Sequence, residues 1–429
     1  MKRGASTARR PPDGSVTARR SASPAVTRRR ENAVNRRLFL TQSTAALAAS
    51  TLPSSVFAQQ AAAPAPTSAP QARPLPRPAN GLEHVDIWRQ PGHYGGWPAN
   101  HGMWIWRNEI AVGFSDGMLK TGDPERHPID RTQPERHLIA RSGDGGRHWA
   151  IEIHQDVVPP PQPGHMSGVP TEKGGRTPTA LTAPLDFTAT GFALTLRMAD
   201  KDSGPSWFYA STNRGRRWTG PWALPTFGTP GITARTDYIV MDARHLVAVV
   251  TAAKPNGKEG RPLAIETRDG GRTWSRLGWV GPETAGWRIM PTTVKLTDGR
   301  FYSVIRTRTG DRHRLDAFVS ADGGRTWAPA GTPVADTGRG NPGALLALAD
   351  RRLALIYGSR KTPFGMYAVL SEDQGRTWAP PVTLRDDAVD WDLGYPRAVE
   401  RPDGVVVAVY YYNDRKSPER YIAATLWAP

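Results

Sequence analysis

The sequence of 429 residues contains no cysteine. Disulfide bridges and thiolate metal sites are therefore excluded, and the stability of the fold must come from a packed core. The H-E-x-x-H, P-loop and G-x-S-x-G patterns of zinc proteases, nucleotide-binding proteins and serine hydrolases are also missing. Gly338-Arg-Gly340-Asn-Pro-Gly343 has the glycine spacing of a dinucleotide-binding loop, but it contains Pro342 and no helix pattern follows it. No cofactor or metal is expected.

Long hydrophobic runs are scarce. The apolar stretch 42–57 is too short to span a bilayer as a stable helix. It follows the twin-arginine pair Arg36-Arg37 and ends near Ala58, where small residues favour cleavage by a signal peptidase. Residues 1–58 are therefore predicted to be a twin-arginine (Tat) signal peptide with a long basic N-terminal region. The mature protein is expected in the periplasm or secreted, exported by the Tat machinery and without a transmembrane segment.

Basic runs of the kind that bind nucleic acid are missing from the rest of the chain. The formal net charge is +17, but residues 1–58 hold 11 Lys or Arg against 2 Asp or Glu, so about half of the charge lies there. Residues 59–80, rich in Ala, Pro, Gln and Ser, are predicted to be a disordered linker. Over 81–429 the positive charge is spread among strands and loops, so no nucleic-acid partner is expected.

One motif, S/T-x-D-x-G-x-x-W, occurs five times at separations of about 50 to 70 residues. Its third position, Asn in one copy, is occupied by Asp144, Asn213, Asp269, Asp322 and Asp373. An Asp or Asn side chain at this position accepts backbone N–H groups and holds a turn, and the glycine allows a positive φ. The Trp begins the next strand and can bury a large apolar surface between sheets.

The segments around the motif repeat as well. Three short strand patterns precede each copy and a fourth follows the Trp, which predicts four-stranded antiparallel units. The fold class is therefore all-β, a six-bladed β-propeller over residues 81–429, with a spare strand at 83–88 that completes the last blade and a long loop at 157–175. The predicted blades are 95–155, 177–225, 233–280, 288–332, 341–385 and 394–427.

The five motifs resemble the Asp box of sialidases and other bacterial-neuraminidase-repeat proteins. The resemblance covers residues 83–427 for the fold, and it implies that the box residues are structural and lie on the rim. In a propeller, a pocket forms over the central channel from the starts of first strands and the loops after second strands. Many arginines occupy these places, and an arginine fork matches a carboxylate, which favours an acidic sugar. The candidate substrate-binding residues are Trp97, Arg235, Arg288, Arg306, Arg360 and Arg397.

Sialidases use three arginines for the substrate carboxylate, a Tyr nucleophile assisted by a Glu, and an Asp acid/base. The stretch around Asp298-Gly299 resembles the family pattern that leads to the second arginine, here Arg306, and Arg360 resembles the third. The stretch Asp392-Leu-Gly-Tyr395 resembles the nucleophile segment, so the resemblance implies that Tyr395 is the nucleophile.

Two parts of the family pattern are missing. Trp97 occupies the place of the first arginine, and Met290 that of the Glu. The acid/base Asp should lie in the loop before the first box, where Asp116, Asp123 and Asp130 all qualify; we assign the role to Asp123 or Asp130.

Three functions are compatible with these residues. The first is a sialidase-like glycoside hydrolase acting on a terminal acidic sugar. The second is a polysaccharide lyase acting on a uronate, which depends less on the missing Glu. The third is a glycan-binding propeller without catalysis.

Overall fold

The computed structural model describes residues 81–429 apart from 134, 155–156 and 158–176. The predicted signal peptide and linker lie outside the described residues, as does most of the predicted loop at 157–175. In the described part of the chain no helix has the length and apolar character needed to cross a bilayer.

The described residues are almost all in strands and turns, with a short 3₁₀ helix at Pro98–Asn100. The strands are, in chain order, Leu82–Trp88 (β1), His93–Gly96 (β2), Met103–Trp106 (β3), Glu109–Met118 (β4), Arg136–Ser142 (β5), Ala150–Glu152 (β6), Ala193–Met198 (β7), Ser206–Ser211 (β8), Thr219–Leu224 (β9), Ile232–Thr233 (β10), Tyr238–Val240 (β11), Leu246–Ala253 (β12), Glu259–Thr267 (β13), Ser275–Trp279 (β14), Trp287–Lys295 (β15), Phe301–Thr309 (β16), Arg312–Ser320 (β17), Ala328–Pro329 (β18), Gly343–Ala347 (β19), Leu353–Ser359 (β20), Gly365–Ser371 (β21), Val382–Arg385 (β22), Gly394–Glu400 (β23), Val406–Asp414 (β24) and Ser417–Trp427 (β25).

Within the described residues these strands form five sheets. Two sheets have four strands in chain order, β15-β16-β17-β18 and β19-β20-β21-β22. A third has the order β10-β12-β13-β14 with β11 beside β12, and a fourth has the three strands β7-β8-β9. The largest has the order β23-β24-β25-β2-β4-β5-β6, with β1 paired to β25 and β3 to β4. The prediction of an all-β fold is confirmed, and two of the five sheets are the predicted four-stranded antiparallel units.

The N-terminal strand β1 pairs antiparallel with β25, from Leu82 opposite Trp427 to Trp88 opposite Ile422. This is the pairing predicted for the spare strand, since it adds a fourth strand to β23-β24-β25. A single parallel bridge between Tyr94 and Arg420 then links β25 to β2.

The second unit differs from the prediction because, within the described residues, it has three strands, β7-β8-β9, and the predicted first strand is not among them. The segment where that strand was expected contains Pro178 and Pro184, which cannot donate to a ladder. Side-chain hydroxyls take its place at the inner edge of the sheet. The N–H of Leu194 donates to the Tyr238 hydroxyl at 3.3 Å, and the N–H of Leu196 donates to Thr236 Oγ1 at 3.1 Å.

The repeated motif forms the predicted turn in all five copies. In the fourth copy, the Ser320 hydroxyl accepts the Gly324 N–H at 2.8 Å and Asp322 Oδ1 accepts the Thr326 N–H at 2.9 Å. Gly324 has a φ of +94° and the indole N–H of Trp327 donates to its carbonyl at 3.0 Å. The other copies repeat the bond from the glycine N–H to the Ser or Thr hydroxyl.

Trp327 packs against a buried cluster that joins two neighbouring sheets. The cluster contains Val249 and Ala264 from β12 and β13, and Ile305 and Phe318 from β16 and β17. The motif therefore supplies both the turn and an apolar wedge between sheets, and the core of the molecule lies between the faces of adjacent sheets.

We expect Trp327→Ala to lower the free energy of unfolding by about 3 kcal/mol, at the low end for a buried aromatic side chain because Trp327 is partly exposed. Urea unfolding monitored by circular dichroism measures the change. Arg325→Ala on the same turn, where the side chain is exposed, should change it by less than about 0.5 kcal/mol. Identical midpoints for Trp327→Ala and the parent would show that this Trp is not a wedge.

Candidate active site

A cavity of about 510 Å³ lies among the starts of first strands and the loops that follow second strands. These are the places where the sequence predicts a pocket. The cavity is lined by Trp97, Asn100, His127, Arg131, Met198, Ala199, Asp200, Lys201, Asp202, Arg235, Glu259, Trp287, Ile289, Met290, Arg306 and Tyr395.

The lining divides the predicted site residues into two groups. Four of them share the cavity wall, namely Trp97, Arg235, Arg306 and Tyr395. Five of them are not part of the wall, namely Arg288, Arg360, Arg397, Asp123 and Asp130.

Three residues of this wall have a strained backbone conformation. Trp97, Met290 and Tyr395 are non-glycine residues with φ of 57°, 52° and 49°. Met290 and Tyr395 each lie where the register of a first strand shifts, in β15 and β23. A bulge re-aims the side chain that it carries, so both side chains turn into the cavity. Left-handed conformations of this kind cost about 1–3 kcal/mol each and tend to cluster at functional sites.

The segment before Tyr395 fixes its position. Gly394 has a φ of +103°, and a Cβ added there would lie 2.1 Å from the side-chain amide of Asn341. Only glycine fits, and the same amide accepts the Tyr395 N–H at 2.9 Å. The buried side chain of Asn341 therefore fixes the backbone of Tyr395, and with it the position of the phenol.

The phenol of Tyr395 is surrounded by cations. Arg306 Nη1 donates to its oxygen at 3.0 Å, and the guanidinium of Arg360 lies 5.3 Å from the centre of its ring. Burial alone would raise the pKa of Tyr395, but the charges of Arg306, Arg360 and Arg235 outweigh burial and lower the pKa below its ordinary value. The site therefore stabilises the phenolate, which is the nucleophilic form, more than water stabilises it for a free phenol.

Arg306 is a buried cation that no carboxylate of the described residues pairs with. Its side chain contacts the Tyr395 oxygen, Met290 Sδ at 3.8 Å and the ring of Trp287 at 5.0 Å. Its Nε has no hydrogen-bond partner in the described part of the chain. A buried cation in this state favours an anionic ligand.

Arg360 lies behind Tyr395 and not on the wall. Its Nε and Nη2 donate to the Leu393 carbonyl at 3.1 and 3.0 Å, and Nη2 also donates to the Tyr411 hydroxyl at 2.5 Å. Protein groups thus occupy the Nε and Nη2 donors of Arg360. Its charge lowers the pKa of the Tyr395 phenol, and it does not contact a ligand in the cavity.

Arg235 lies on the wall but its charge is compensated. Nη1 pairs with Glu259 Oε1 at 2.5 Å, and Nε donates to Asn100 at 3.0 Å. Arg397 lies next to a much smaller void and donates to the carbonyls of Thr236 and of Ala99, the latter at 2.7 Å.

Arg288 is directed away from the cavity. It lies between two lining residues of β15, Trp287 and Ile289, and side chains alternate along a strand. Its Nη1 donates to the Pro282 carbonyl at 2.5 Å, and its Nε lies 3.8 Å from Asp316.

Asp123 and Asp130 stabilise turns in the loop between β4 and β5. Asp123 accepts the Glu125 N–H at 2.9 Å, and Asp130 accepts the N–H and hydroxyl of Thr132 at 3.0 and 2.7 Å. Neither side chain reaches the cavity. The third candidate, Asp116, is bound to His93 at 2.7 Å and to Arg136 at 2.9 Å.

Residues 175–408 match the family described as the BNR repeat-like domain. This match covers more than half of the chain. The chain belongs to this family. No curated protein sequence matches it.

Solved structures share the fold of this BNR repeat-like chain at low sequence identity. A protein of unknown function from Dyadobacter fermentans is 21% identical, with 81% of this chain and 98% of that one aligned and a TM-score of 0.61. A Trypanosoma rangeli sialidase, solved as a covalent intermediate with 2,3-difluorosialic acid, is 11% identical over 81% of this chain and 59% of its own, with a TM-score of 0.54. An α-L-arabinanase from Penicillium chrysogenum is 14% identical over 80% and 97% of the two chains, with a TM-score of 0.50. The chain therefore shares the β-propeller fold of these proteins.

Two residues of the BNR repeat-like chain that sequence reasoning missed lie on the wall. Glu259 begins β13 and pairs with Arg235, and His127 lies in the loop between β4 and β5. His127 Nδ1 is 2.6 Å from Oδ1 of the buried Asp392, which is 265 residues away in the sequence. The resemblance to sialidases points to this loop for the acid/base group, but it implies a carboxylate there and gives no signal for a histidine.

Proposed function

We propose that this chain is an exported glycoside hydrolase that removes a terminal acidic sugar from a glycan, with Tyr395 as the nucleophile. The observation that carries the proposal is the contact between the Tyr395 oxygen and Arg306 Nη1, 3.0 Å long, on the wall of the cavity. The propeller fold shared with sialidases is compatible with this chemistry and does not by itself supply it.

In this reaction the Tyr395 phenolate attacks the anomeric carbon and forms a covalent glycosyl–enzyme intermediate. A phenol suits a substrate that carries a carboxylate next to the reacting carbon, because a carboxylate nucleophile would be repelled. The lowered pKa of Tyr395 replaces part of the activation that sialidases obtain from a Glu, since Met290 lies at that position.

The charges on the wall support an acidic sugar. Glu259 is neutralised by Arg235, Asp202 pairs with Lys201, and Arg131 pairs with Glu135. Asp200, the remaining carboxylate of the wall, accepts the N–H groups of Asp202 and Ser203. Arg306 is the wall arginine that no carboxylate of the described residues pairs with, and it can hold a ligand carboxylate. Trp97 and Trp287 provide apolar ring faces of the kind on which a sugar ring packs.

A uronate lyase is the second candidate, and the presence of Met290 in place of the Glu favours it. In a lyase the same phenolate would remove the proton next to the substrate carboxylate, while Arg306 neutralises the carboxylate. This reaction needs no covalent intermediate.

Incubation with a panel of acidic oligosaccharides distinguishes the functions. Hydrolysis releases a free sugar and no new ultraviolet absorbance, which is the expected result. A product that absorbs in the ultraviolet would replace the proposal by the lyase, and binding without any product would leave a glycan-binding propeller.

The proposal includes six blades. The nine-stranded sheet divides at β2 into β23-β24-β25-β1 and β3-β4-β5-β6, which are two four-stranded blades. The hydrophobic clusters of the described residues support a closed ring. Five of them join two units that are adjacent in the chain, and the sixth joins β4 and β5 of the first unit to β24 and β25 of the last.

The proposal also includes export through the Tat route, with residues 1–58 as the signal peptide and 59–80 as the linker. The Tat machinery recognises the arginine pair itself. We therefore expect Arg36→Lys with Arg37→Lys to keep the precursor in the cytoplasm, as measured by cell fractionation and immunoblotting. Because lysine carries the same charge as arginine, the double variant keeps the net charge of the signal peptide. Unchanged periplasmic accumulation would contradict export by this route.

A further inference from the structure

His127 lies on the cavity wall and has an imidazole that can transfer a proton. The proposed function gives roles to Tyr395 and Arg306 but none to His127. Its ring lies between two indoles, with ring centres 5.4 Å from Trp97 and 5.4 Å from Trp391. About a quarter of its side chain, 27%, is exposed, so a ligand in the cavity can reach it.

The partner of His127 is a fixed carboxylate. Asp392 is 1% exposed and bonded to the Tyr411 hydroxyl at 2.6 Å and to Arg420 Nε at 3.3 Å. Burial would raise the pKa of Asp392, but His127, Arg420 and Arg360 outweigh burial and hold the pKa well below its usual range. Asp392 therefore remains an anion that accepts a hydrogen bond from Nδ1–H of His127, and Nε2 is the ring nitrogen left for a ligand in the cavity.

We infer that His127 is the acid/base group of this site, oriented by Asp392, because the carboxylates Asp123 and Asp130 of the same loop do not reach the cavity. This assignment rests on the proposed hydrolysis, in which Tyr395 and His127 both act in each of two steps. First, the Tyr395 oxygen bonds to the anomeric carbon, the glycosidic bond breaks, and the leaving oxygen takes the proton from Nε2 of the imidazolium. Then water attacks the anomeric carbon, Nε2 takes a proton from that water, and the phenolate leaves.

The geometry of the loop supports this assignment over Asp123 and Asp130. Both carboxylates accept backbone N–H groups of their own turns, whereas His127 is tied to Asp392 across the molecule. A histidine held on one nitrogen by a buried carboxylate is an oriented proton-transfer group. Asp392 touches no ligand in this scheme and is a positioning residue.

The test uses two glycosides of the same acidic sugar, one with a nitrophenol leaving group and one with an alkyl alcohol. A nitrophenolate departs without a proton, whereas an alkoxide needs one. His127→Ala should therefore lower kcat/KM for the alkyl glycoside roughly 10²- to 10⁴-fold and for the nitrophenyl glycoside less than about tenfold. Azide, which attacks the intermediate without a base, should raise kcat of the variant on the nitrophenyl glycoside.

His93 provides a matched control, since its Nδ1 is 2.7 Å from Asp116 but its side chain is not part of the wall. His93→Ala should change both substrates equally and slightly. Asp392→Asn should show the leaving-group dependence of His127→Ala in weaker form, and its melting temperature separates that effect from misfolding.

Equal losses on the two glycosides, without azide rescue, would overturn the role of His127 while the proposed function stands. Failure of the proposed function has a different signature. The parent would then turn over neither glycoside, or Tyr395→Phe would retain turnover, and the role of His127 would be overturned together with it.

Discussion

Tyr395→Phe should lose at least about 10³-fold in turnover of any acidic glycoside that the parent hydrolyses, because the nucleophilic oxygen is removed. The ring keeps its contacts with Arg360 and Tyr411, so the fold and most of the ground-state binding should persist. Steady-state kinetics give kcat, and calorimetric titration of the variant with the intact substrate gives the binding constant.

Tyr367→Phe is a suitable control for this change. Tyr367 also uses its hydroxyl, which donates to the Pro363 carbonyl at 3.1 Å, but it lies outside the cavity. Near-parental turnover of Tyr395→Phe would exclude Tyr395 from the chemistry, whatever the substrate.

Arg306→Met should weaken both binding and catalysis. A charge-assisted hydrogen bond to a carboxylate contributes about 1.5–3 kcal/mol, so kcat/KM for the acidic sugar should fall at least roughly 10- to 150-fold. A matched substrate with a hydroxymethyl group in place of the carboxylate should be a poor substrate for the parent and lose much less in the variant. Arg288→Ala, whose side chain is bonded to Pro282, should leave both substrates unaffected.

The pH dependence of Arg306→Met has a definite sign. Arg306 is the first of the cations that lower the pKa of Tyr395, so its removal should raise that pKa. The limb of kcat/KM that rises as the phenol ionises should then move to higher pH. An unchanged limb, or an equal loss on the acidic and neutral sugars, would contradict the assignment of Arg306.

The fold could be predicted from the sequence to the extent that it depends on local interactions. The S/T-x-D-x-G-x-x-W turn closes within eight residues, so its hydrogen bonds follow from residue types such as Ser320 and Gly324 alone. That the second unit has only three strands in the described residues could not be predicted in this way. In place of the predicted first strand stand the hydroxyls of Tyr238, from β11 of another sheet, and of Thr236, from the segment just before β11.

The site was less predictable because it depends on bulges and on pairs distant in sequence. The direction of Met290 and Tyr395 follows from register shifts that no periodicity shows. Arg306 lies in the second strand β16 and Arg360 directly follows the second strand β20. The fold alone shows that Nε of Arg360 has a partner, whereas Nε of Arg306 has none in the described part of the chain. The pairing of His127 with Asp392 spans 265 residues.

Trapping the intermediate is the most direct measurement of whether Tyr395 is the nucleophile. The parent is incubated with an acidic sugar that carries fluorine beside the anomeric carbon and a fluoride leaving group, which slows hydrolysis of the intermediate, and is then digested and analysed by mass spectrometry. The expected result is a single sugar adduct on the peptide that contains Tyr395, absent from Tyr395→Phe. An adduct on another residue, or turnover of acidic glycans with an unsaturated product and no adduct, would contradict the nucleophilic role of Tyr395.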